Sequence, residues 1–468
     1  MTARSSLLQR ILLLGLSLAT SVAAPSAQSS HAALAREIFK ELVEINTTDS
    51  VGSTTRAAEA MAARLRAAGF PDADVRVLGP DPRRGNLVAR LQGSGMRKPL
   101  LLLAHLDVVE ARKEDWSPDL DPFTFIERDG YYYGRGTSDD KAQAAIWIAN
   151  LIRLRQENFR PDRDLVVALT ADEEGGAFNG VAWLLEHHRD LIDAEYCLNE
   201  GGGGQIVEGK YILNELQASE KVYLSFQLEV TSSGGHSSLP VRDNAIHHLA
   251  QGLARLAAFE FPVELNPVTR AFFERSASLQ SSRTEGDMRA VLRSPPDTEA
   301  VRRLSASPYF NAQLRTTCVT TMISGGHAEN ALPQLARAVV NCRMLPGSDP
   351  REVQHTIEQT LGDATIKVTP IGAARPSDPS PLRPDLMGPL ERITREMWNV
   401  PIVPVMLTGA TDGLYLRNAG IPVYGVDGLF TETDDTRAHG RDERIGVREF
   451  YEGREFLYRL VKALGGGG

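Results

Sequence analysis

The feature that most constrains this chain is a continuous apolar run that ends in two adjacent glutamates. The run extends from Leu165 to Leu169, and the sequence TADEEGG that follows it contains Glu173 and Glu174. A short run that is apolar at every position is typical of a parallel strand buried on both faces. Charges at the end of such a strand must be paired, solvated or bound to a metal. Because α/β proteins bind ligands at the carboxyl ends of parallel strands, both glutamates are candidate functional residues.

Length and composition exclude some classes of protein. The chain has 468 residues, of which 42% are hydrophobic and 24% are charged. These values are typical of a soluble globular protein with two or three domains. The formal net charge is -9, and Lys and Arg nowhere cluster without nearby acids, so we expect no nucleic-acid partner. A small molecule or a peptide is the expected ligand.

The N-terminus has the pattern of a secretion signal. Arg4 and Arg10 precede the apolar stretch ILLLGLSLATSVAA, and small residues follow it. The stretch is shorter than the roughly 20 residues that span a bilayer, and no cysteine for a lipid anchor lies nearby. We therefore assign residues 1–28 to a signal peptide and expect a secreted or periplasmic protein without a stable membrane anchor. A buried N-terminal helix is the alternative.

The three cysteines are Cys197, Cys318 and Cys342, which are too few for a disulfide framework. Cys318 and Cys342 lie in strand-like runs on either side of the turn GGHAENALP and would face each other across a hairpin. A disulfide and two buried free thiols are both compatible with this pattern. The sequence predicts no function for any cysteine.

The pattern of predicted elements changes at Lys221. Before it, helical segments alternate with apolar strands, which predicts an α/β domain with a mainly parallel sheet flanked by helices. From Lys221, the segment VYLSFQLEV alternates apolar and polar residues, as expected of an antiparallel strand with one solvated face. One helix, a polar stretch of residues 261–308 and two more strands follow, which predicts an α+β layer.

The α/β pattern returns after the linker-like segment ARPSDPSPLRP. We therefore expect an α/β domain of residues 29–218 and 374–468. An α+β domain of residues 219–373 would be inserted between its two parts.

Metal-type ligands recur at predicted strand ends and in turns. A mixture of imidazole and carboxylate groups suits zinc or a similar transition metal. Each residue alone is more often a capping or solvated side chain, so the prediction depends on the set. The set comprises His105 and Asp107 in AHLDVV, Asp139 in GRGTSDDKA, Glu173 and Glu174 in ADEEGG, Glu200 in LNEGG, and His439 in AHGRDERI.

In this order the motifs resemble those of the co-catalytic di-zinc hydrolases. That family contains aminoacylases, bacterial glutamate carboxypeptidase, vacuolar carboxypeptidase S and succinyl-diaminopimelate desuccinylase. The resemblance covers nearly the whole mature chain. It implies a zinc-exopeptidase-like catalytic domain with an inserted lid or dimerisation domain, and it leaves a homodimer through the inserted domain open. It also implies two Zn²⁺ ions per subunit, with Co²⁺ or Mn²⁺ as substitutes.

The resemblance further implies a role for each ligand. His105 and Glu200 would hold one zinc ion, and Glu174 and His439 the other. Asp139 would bridge them, because two cations about 3.5 to 4 Å apart need a shared carboxylate to offset their repulsion. The peptide bond after Asp139 would be cis.

Two further acids would assist the reaction. Adjacent side chains near a strand end point to opposite sides, so Glu174 can hold a metal while Glu173 faces the attacking water. Glu173 is therefore the expected general base, which would pass a proton from the water to the leaving nitrogen. Asp107 would accept a hydrogen bond from the ring of His105 and fix its tautomer. A loop-capping aspartate is the alternative for Asp107.

The remaining candidates would contact the substrate. The resemblance assigns His236, in TSSGGHSSLP, to polarising the carbonyl, often across a dimer interface; a surface turn histidine is the alternative. Asn330, in GGHAENALP, would form a hydrogen bond near the substrate. Arg343, in NCRMLPG, suits a substrate carboxylate because its fork binds both oxygens, although a salt-bridged strand residue is also compatible. Gly409, in LTGATD, would allow close approach of the substrate.

Two positions depart from the common pattern of the family. Asp140 replaces a frequent methionine, a change that the carboxypeptidase S-like branch also shows. Asn341 stands where an acid often precedes Arg343. The expected function is a secreted metallocarboxypeptidase that cleaves an amide or peptide bond next to a free carboxylate. An N-acyl-amino-acid amidohydrolase is the main alternative. An aminopeptidase or dipeptidase and an inactive binding protein are the others.

Overall fold

A computed structural model describes residues 27–467, and the predicted signal peptide lies outside this range except for its last two positions. None of the helices in this part of the chain is both long enough and apolar enough to cross a bilayer. The α-helices are α1 (Ala27–Glu44), α2 (Thr54–Ala67), α3 (Lys141–Gln156), α4 (Gly180–His187), α5 (Arg189–Ile192), α6 (Ala245–Ala258), α7 (Pro267–Ser276), α8 (Ser282–Val291), α9 (Thr298–Leu304), α10 (Pro308–Leu314), α11 (Pro350–Leu361), α12 (Pro384–Trp398), α13 (Gly413–Asn418) and α14 (Val447–Gly465).

The strands form a large sheet, a four-stranded sheet and two small sheets. They are β1 (Val75–Leu78), β2 (Asn86–Leu91), β3 (Leu100–His105), β4 (Ile126–Arg128), β5 (Tyr131–Tyr133), β6 (Leu165–Thr170), β7 (Tyr196–Asn199), β8 (Gly204–Val207), β9 (Lys210–Glu220), β10 (Val222–Thr231), β11 (Gly235–His236), β12 (Thr317–Gly325), β13 (Ala331–Leu332), β14 (Leu335–Met344), β15 (Lys367–Ile371), β16 (Ile402–Leu407), β17 (Val423–Gly425), β18 (Phe430–Glu432) and β19 (Arg444–Gly446).

The large sheet is mixed, with a parallel core. Its order is β1-β2-β6-β3-β7-β17-β9-β8-β18, and β16 also pairs with β9. The central strands β6, β3, β7 and β17 are parallel neighbours. Every residue of β3 and β6 is buried, because helices cover both faces: α1, α3 and α14 on one side and α4 and α13 on the other. The predicted α/β fold, a sheet with a parallel core flanked by helices, is confirmed.

The four-stranded sheet is antiparallel in the order β12-β14-β10-β15. Its inner face packs on α6 and α11 and includes Phe226, Leu228 and Val230, the apolar positions of the alternating segment. On the opposite face Tyr223 is 52% exposed. Alternation along β10 therefore produces one buried and one solvated face, as the sequence indicates.

Cys318 and Cys342 form a disulfide between β12 and β14. The two residues are directly opposite in the strand register. Of the two alternatives left open by the sequence, the structure has the disulfide. Cys197 is a buried free thiol.

The polar stretch of residues 261–308 lies elsewhere than expected. Together with the residues up to Leu314 it forms α7 to α10, and these helices do not extend the four-stranded sheet. Phe272 and Phe273 of α7 are buried in a cluster with Val403 and Val405 of β16, at the large sheet. Burial of these apolar side chains places the helices against the large sheet. The mostly polar composition of the segment gives no indication of this contact.

Candidate metal centre

Three neighbouring parallel strands bring ligand-type residues to one edge of the large sheet. His105 is the last residue of β3, and Glu200 directly follows β7. Glu173 and Glu174 lie in the loop that follows β6. Because β6, β3 and β7 are adjacent and parallel, their carboxyl ends meet at the same edge.

Two loops add the remaining ligand-type residues. Asp139 lies just before α3, and the peptide bond between Asp139 and Asp140 is cis, as the family resemblance implies. His439 lies in the turn between β18 and β19 with a φ of 62°, a left-handed conformation that few residues other than glycine adopt. This turn carries the imidazole of His439 to Asp139 and Glu174.

The five side chains form two groups that share one carboxylate. His105, Asp139 and Glu200 make one group, and Asp139, Glu174 and His439 make the other; within each group the ligand atoms lie within 4.8 Å of one another. Asp139 Oδ1 is 2.9 Å from His105 Nε2, and Asp139 Oδ2 is 3.1 Å from His439 Nε2. One oxygen of Asp139 therefore faces each group.

The acids of the centre are half-buried, and their environment shifts the pKa of two of them. Burial raises the pKa of Glu200 well above its ordinary value. Burial acts to raise the pKa of Asp139 as well, but hydrogen bonds with His105 and His439 outweigh this effect. The net result is a lowered pKa for Asp139. Hydrogen bonds with Asp139 and Glu174 raise the pKa of His439 to about 10. The charged forms of Asp139 and His439 are thus favoured because they face each other, whereas the neutral form of Glu200 is favoured.

The chemistry of this donor set fits a pair of divalent cations. No Lys or Arg within residues 27–467 forms an ion pair with Asp139, Glu174 or Glu200; their ion-pair partners are His105 and His439. Three carboxylates without basic partners, together with two imidazoles, are a donor set typical of zinc and related metals. The shared position of Asp139 suits two ions rather than one.

The position of Asp107 differs in detail from the expectation. His105 Nδ1 donates to the backbone carbonyl oxygen of Asp107 at 3.0 Å, whereas the Asp107 carboxylate is 3.6 Å from the ring. Asp107 Oδ2 instead accepts the backbone N–H of Glu174 at 2.9 Å. Asp107 therefore orients His105 through its backbone and holds the Glu174 loop through its side chain. The sequence does not show whether the backbone carbonyl or the side-chain carboxylate of Asp107 contacts His105.

Glu173 differs from its sequence neighbour Glu174 in its hydrogen bonds. Among the described residues, no donor lies within hydrogen-bond distance of its carboxylate, whereas Glu174 is 2.8 Å from His439. Burial raises the pKa of Glu173 to about 9, with further contributions from the charges of Asp412 and Glu174. The two adjacent glutamates thus face different surroundings.

Sequence reasoning missed Glu443, which joins the two loops of the centre. Its carboxylate is fully buried and accepts hydrogen bonds from Arg135 at 2.8 Å, from the backbone of Ser138 at 2.8 Å and from the backbone of Asp139 at 3.1 Å. Because Glu443 lies four residues after His439, one side chain holds the two loops together. Its place within the motif HGRDER was the available signal.

Asp412 was missed as well, although it lies in the motif that contains Gly409. Asp412 accepts a hydrogen bond from Asn179 at 2.5 Å and lies 3.4 Å from the hydroxyl of Thr170, the last residue of β6. Burial raises the pKa of Asp412 to about 7. Gly409 lies in the same turn without a left-handed φ, and a Cβ there would meet only Leu407 at ordinary distance. Local packing therefore does not require a glycine at position 409.

The structure brings His236 and Asn330 together, but away from the five ligand-type residues. His236 of β11 pairs with Ala331 of β13, and Ser237 donates to the carbonyl oxygen of Asn330 at 3.0 Å. Both side chains are exposed. The backbone N–H and the hydroxyl of Ser238 lie 3.1 Å and 2.7 Å from His236 Nδ1. Since a backbone N–H can only donate, Nδ1 is an acceptor, and Nε2 carries the proton.

Arg343 lies on the solvated face of the four-stranded sheet. Its guanidinium stacks on the ring of Tyr223 at 4.8 Å, and no carboxylate within residues 27–467 pairs with it. Asn341, at the position where an acid often stands, donates to Ser225 instead. Within residues 27–467, Arg343 is therefore not the salt-bridged strand residue that the sequence left as an alternative.

A mixed sheet with a parallel core and a shared-carboxylate cluster at its strand ends defines an α/β metallohydrolase. The chain belongs to the peptidase family M20/M25/M40, whose sequence model matches residues 101–463. This confirms the predicted family and the prediction of an enzyme of the metallopeptidase type.

Two curated relatives show the range of the family. Human N-fatty-acyl-amino acid synthase/hydrolase PM20D1 is 29% identical over 388 residues, which cover 80% of this chain and 75% of the human protein. Carboxypeptidase S of Saccharomyces cerevisiae is 24% identical over 410 residues, which cover 78% of this chain and 71% of the yeast protein.

Among solved structures, the M20 family metallo-carboxypeptidase Sso-CP2 of Sulfolobus solfataricus matches with a TM-score of 0.65 at 16% identity. The match covers 92% of this chain and 99% of the archaeal chain. Human carnosine dipeptidase 1 matches with a TM-score of 0.62, also at 16% identity, over 94% of this chain and 97% of the human chain. At these identities the similarity establishes the fold.

Proposed function

We propose that this protein is a metallocarboxypeptidase that hydrolyses an amide or peptide bond whose nitrogen belongs to an amino acid with a free carboxylate. The observation that carries the proposal is the pair of ligand groups joined by Asp139. In this proposal His105 and Glu200 would hold one Zn²⁺, Glu174 and His439 would hold the other, and Asp139 would serve both. Co²⁺ or Mn²⁺ would be substitutes.

Glu173 is the proposed general base. A pair of divalent cations, when bound, would supply Lewis acidity and lower the pKa of a bound water molecule. Glu173 accepts a proton from the attacking water and delivers it to the leaving nitrogen. This role is supported by its carboxylate being free of hydrogen-bond donors in the described chain, and by its position next to Glu174.

The other proposed roles belong to orientation and substrate binding. Asp107 fixes the ring of His105 through its backbone carbonyl, which leaves Nε2 directed to the metal position. His236 donates from Nε2 to the scissile carbonyl, Asn330 forms a hydrogen bond to the substrate, and Arg343 binds its carboxylate. Gly409 leaves space for the substrate beside β16.

An N-acyl-amino-acid hydrolase is the second candidate, because PM20D1 matches over most of this chain. Carboxypeptidases and such hydrolases cleave the same kind of bond and differ in the group on the acyl side. Arg343 favours both over an aminopeptidase, which would need an acidic group for the substrate amine.

The cellular setting and the domain organisation remain part of this proposal. We propose secretion or a periplasmic location after removal of residues 1–28. We also propose that residues 29–218 and 374–468 form the catalytic domain and that residues 219–373 contain the inserted lid. In this division α7 to α10, although within the insertion, pack on the catalytic side. A homodimer through the inserted domain would place His236 at the centre of the partner copy.

The test is a hydrolysis screen of the zinc-loaded protein. Substrates are N-blocked dipeptides, C-blocked dipeptides, N-acetyl amino acids and N-fatty-acyl amino acids. A carboxypeptidase hydrolyses N-blocked dipeptides, an N-acyl-amino-acid hydrolase prefers the acyl amino acids, and an aminopeptidase prefers C-blocked dipeptides. Binding of these compounds without any turnover would identify an inactive binding protein instead.

The matched control is Glu173→Gln, which keeps the size of the side chain and removes its basicity. We expect the rate to fall by about 10²- to 10⁴-fold, with two metal equivalents retained per chain by metal analysis. A near-normal rate in this variant would show that another group is the base.

A further inference from the structure

A cleft of about 160 Å³ lies where the large sheet and the four-stranded sheet join. Its walls come from the connection between β9 and β10, the segment after β15, and the turn between β16 and α13. Among the lining residues are Tyr223, Arg375, Ala410 and Leu414. Nothing in the proposed set of substrate-binding residues assigns a role to Arg375.

The cleft lies beside the candidate metal centre. Ala410 directly follows Gly409, and Asp412, two residues further, is 3.4 Å from the hydroxyl of Thr170. Thr170 pairs with His105 across β6 and β3. A ligand in the cleft therefore lies against the turn that contacts the strand end preceding Glu173.

The charges around the cleft favour an anion. Glu220, the acid of its lining, forms a buried ion pair with Arg417 at 2.5 Å and is neutralised there. The Lys221 ammonium group has no acidic partner among the described residues and donates to the carbonyl oxygens of Arg315 and Arg343 at 2.6 and 3.3 Å. Arg375 adds an exposed guanidinium, and no carboxylate in residues 27–467 pairs with it. Burial lowers the pKa of Lys221 to about 7, so Arg375 is the cation of the lining that keeps its charge at neutral pH.

Stacking orients two guanidinium groups at this cleft. Arg375 lies over the ring of Tyr415 at 4.9 Å, and Arg343 lies over the ring of Tyr223 at 4.8 Å. Stacking on an aromatic face holds the plane of a guanidinium and leaves its N–H edge free to bind both oxygens of a carboxylate. Arg375 and Tyr223 both line the cleft, and Arg343 lies against the ring of Tyr223.

We propose that this cleft binds the free carboxylate of the substrate and that Arg375 is a specificity-determining residue, which shares the carboxylate with Arg343. The inference rests on the proposed function, because it requires a substrate with a free carboxylate. Arg375 selects acids over uncharged analogues and takes no part in bond cleavage. Its loss therefore affects binding of acids and leaves the chemical step unchanged.

The experiment measures binding without turnover. Zinc-loaded Glu173→Gln protein, with and without Arg375→Gln, is titrated with N-acetyl-leucine and with N-acetyl-leucinamide in a calorimeter. A hydrogen bond to a charged group contributes about 1.5 to 3 kcal/mol. We therefore expect Arg375→Gln to raise the dissociation constant of N-acetyl-leucine by at least about tenfold and to leave that of N-acetyl-leucinamide unchanged. The inference is overturned if the starting protein binds the acid no tighter than the amide, or if both ligands weaken equally.

A kinetic measurement in the otherwise unchanged enzyme gives a second readout. With the best acid substrate of the hydrolysis screen, Arg375→Gln should raise KM by about tenfold or more and keep kcat near its starting value. Arg375→Lys should recover part of the loss, because it keeps the charge without the fork. A fall in kcat at constant KM would contradict the inference. Absence of turnover in the unchanged enzyme would contradict the proposed function and leave the calorimetric comparison valid.

The surface variant Arg392→Gln is the matched control. Arg392 lies on α12, is 57% exposed in its side chain and pairs with Glu396 within the same helix. It removes one positive charge, as Arg375→Gln does, away from the cleft. We expect no change in the binding of either ligand; an equal loss with this variant would mean that net charge alone, rather than the cleft, decides the affinity for acids.

Discussion

The candidate metal centre and the turn that carries His236 are held in contrasting ways. At the centre, His105 is 2% exposed, and Glu443 and Asp107 fix the surrounding loops through hydrogen bonds. In the turn, His236 is exposed and contacts Ser238 through its ring. The centre is thus organised within one chain, because parallel strand ends converge there. The turn belongs to the smaller layer, and under the proposed function it would contribute to the reaction only if that layer closes or if a second copy supplies it.

The difference separates two kinds of effect. Substitutions of the ligand-type residues, and of the side chains that hold their loops, should alter metal binding. Substitutions at the turn should alter turnover and leave metal content unchanged. Substitutions in the small layer away from the turn and from the proposed substrate-binding residues should alter stability alone. The expectations that follow run from the largest effect to the smallest.

Asp139→Ala should have the largest effect. Because Asp139 faces both ligand groups, its loss removes a ligand from each metal position at once. We expect metal content to fall from two equivalents to less than one, and turnover to disappear, as judged by metal analysis and by the hydrolysis assay. Full retention of two tightly bound ions would show that Asp139 is not the shared ligand.

His236→Ala should reduce turnover and spare the metals. Loss of one donor to a developing oxyanion costs about 10²- to 10³-fold in kcat. Metal content and thermal unfolding should match the unchanged protein, which is the contrast with Asp139→Ala. If the turn is a surface feature without function, kcat will not change.

Glu443→Gln should lower the affinity for the metal ions without removing a metal ligand. Its carboxylate holds the backbone of Ser138 and Asp139, and loss of an acid that orients a ligand typically costs about 10- to 100-fold in metal affinity. Competition with a zinc chelator measures the loss. An unchanged affinity would show that the loops keep their geometry without this carboxylate.

Removal of the disulfide should destabilise the small layer alone. Cys318 and Cys342 close a loop with a sequence separation of 24, for which the chain-entropy relation gives about 3.5 kcal/mol. Denaturant unfolding of the double serine variant tests this value. Zinc affinity should be unchanged, and a parallel loss of zinc would show that the two regions unfold as one unit.

The pairing of His248 with Asp363 should give the smallest effect. The hydrogen bond to Asp363, 2.6 Å long, raises the pKa of His248, with a smaller contribution from Asp243. A raised histidine pKa contributes stability that is complete below the ordinary value of about 6.5 and is lost as the pH rises through the raised value. For so exposed a pair we expect at most about 1 kcal/mol. Denaturant unfolding from pH 6 to 9 should show this loss, and Asp363→Asn should abolish it.

The strand ends were predictable because a continuous apolar run and the acids behind it form a local pattern. His105, Glu174 and Glu200 come together as parallel neighbours, as that pattern requires. Glu443 was not predictable in the same way. Its buried carboxylate is stabilised by hydrogen bonds from a loop about 300 residues earlier in the chain, a separation on the order that only a tertiary contact can bridge.

The placement of α7 to α10 shows the same limit. Their sequence reads as polar and continuous with the second layer, yet Phe272 and Phe273 pack against β16 of the large sheet. The composition of a helix includes its exposed residues as well as its buried ones, so a mostly polar segment can still have an apolar face. Which surface a helix covers depends on which apolar partner lies within reach.

By itself, the sequence determined the α/β architecture, the family and the identity of the five metal-type residues, because periodicity and short motifs act over a few residues. Only the tertiary structure decided that Asp139 divides its two oxygens between the ligand groups, that the backbone rather than the side chain of Asp107 meets His105, and that Arg375 borders a cleft next to the turn of Gly409. Each of these depends on distances of a few ångströms between groups far apart along the chain, which no local pattern encodes.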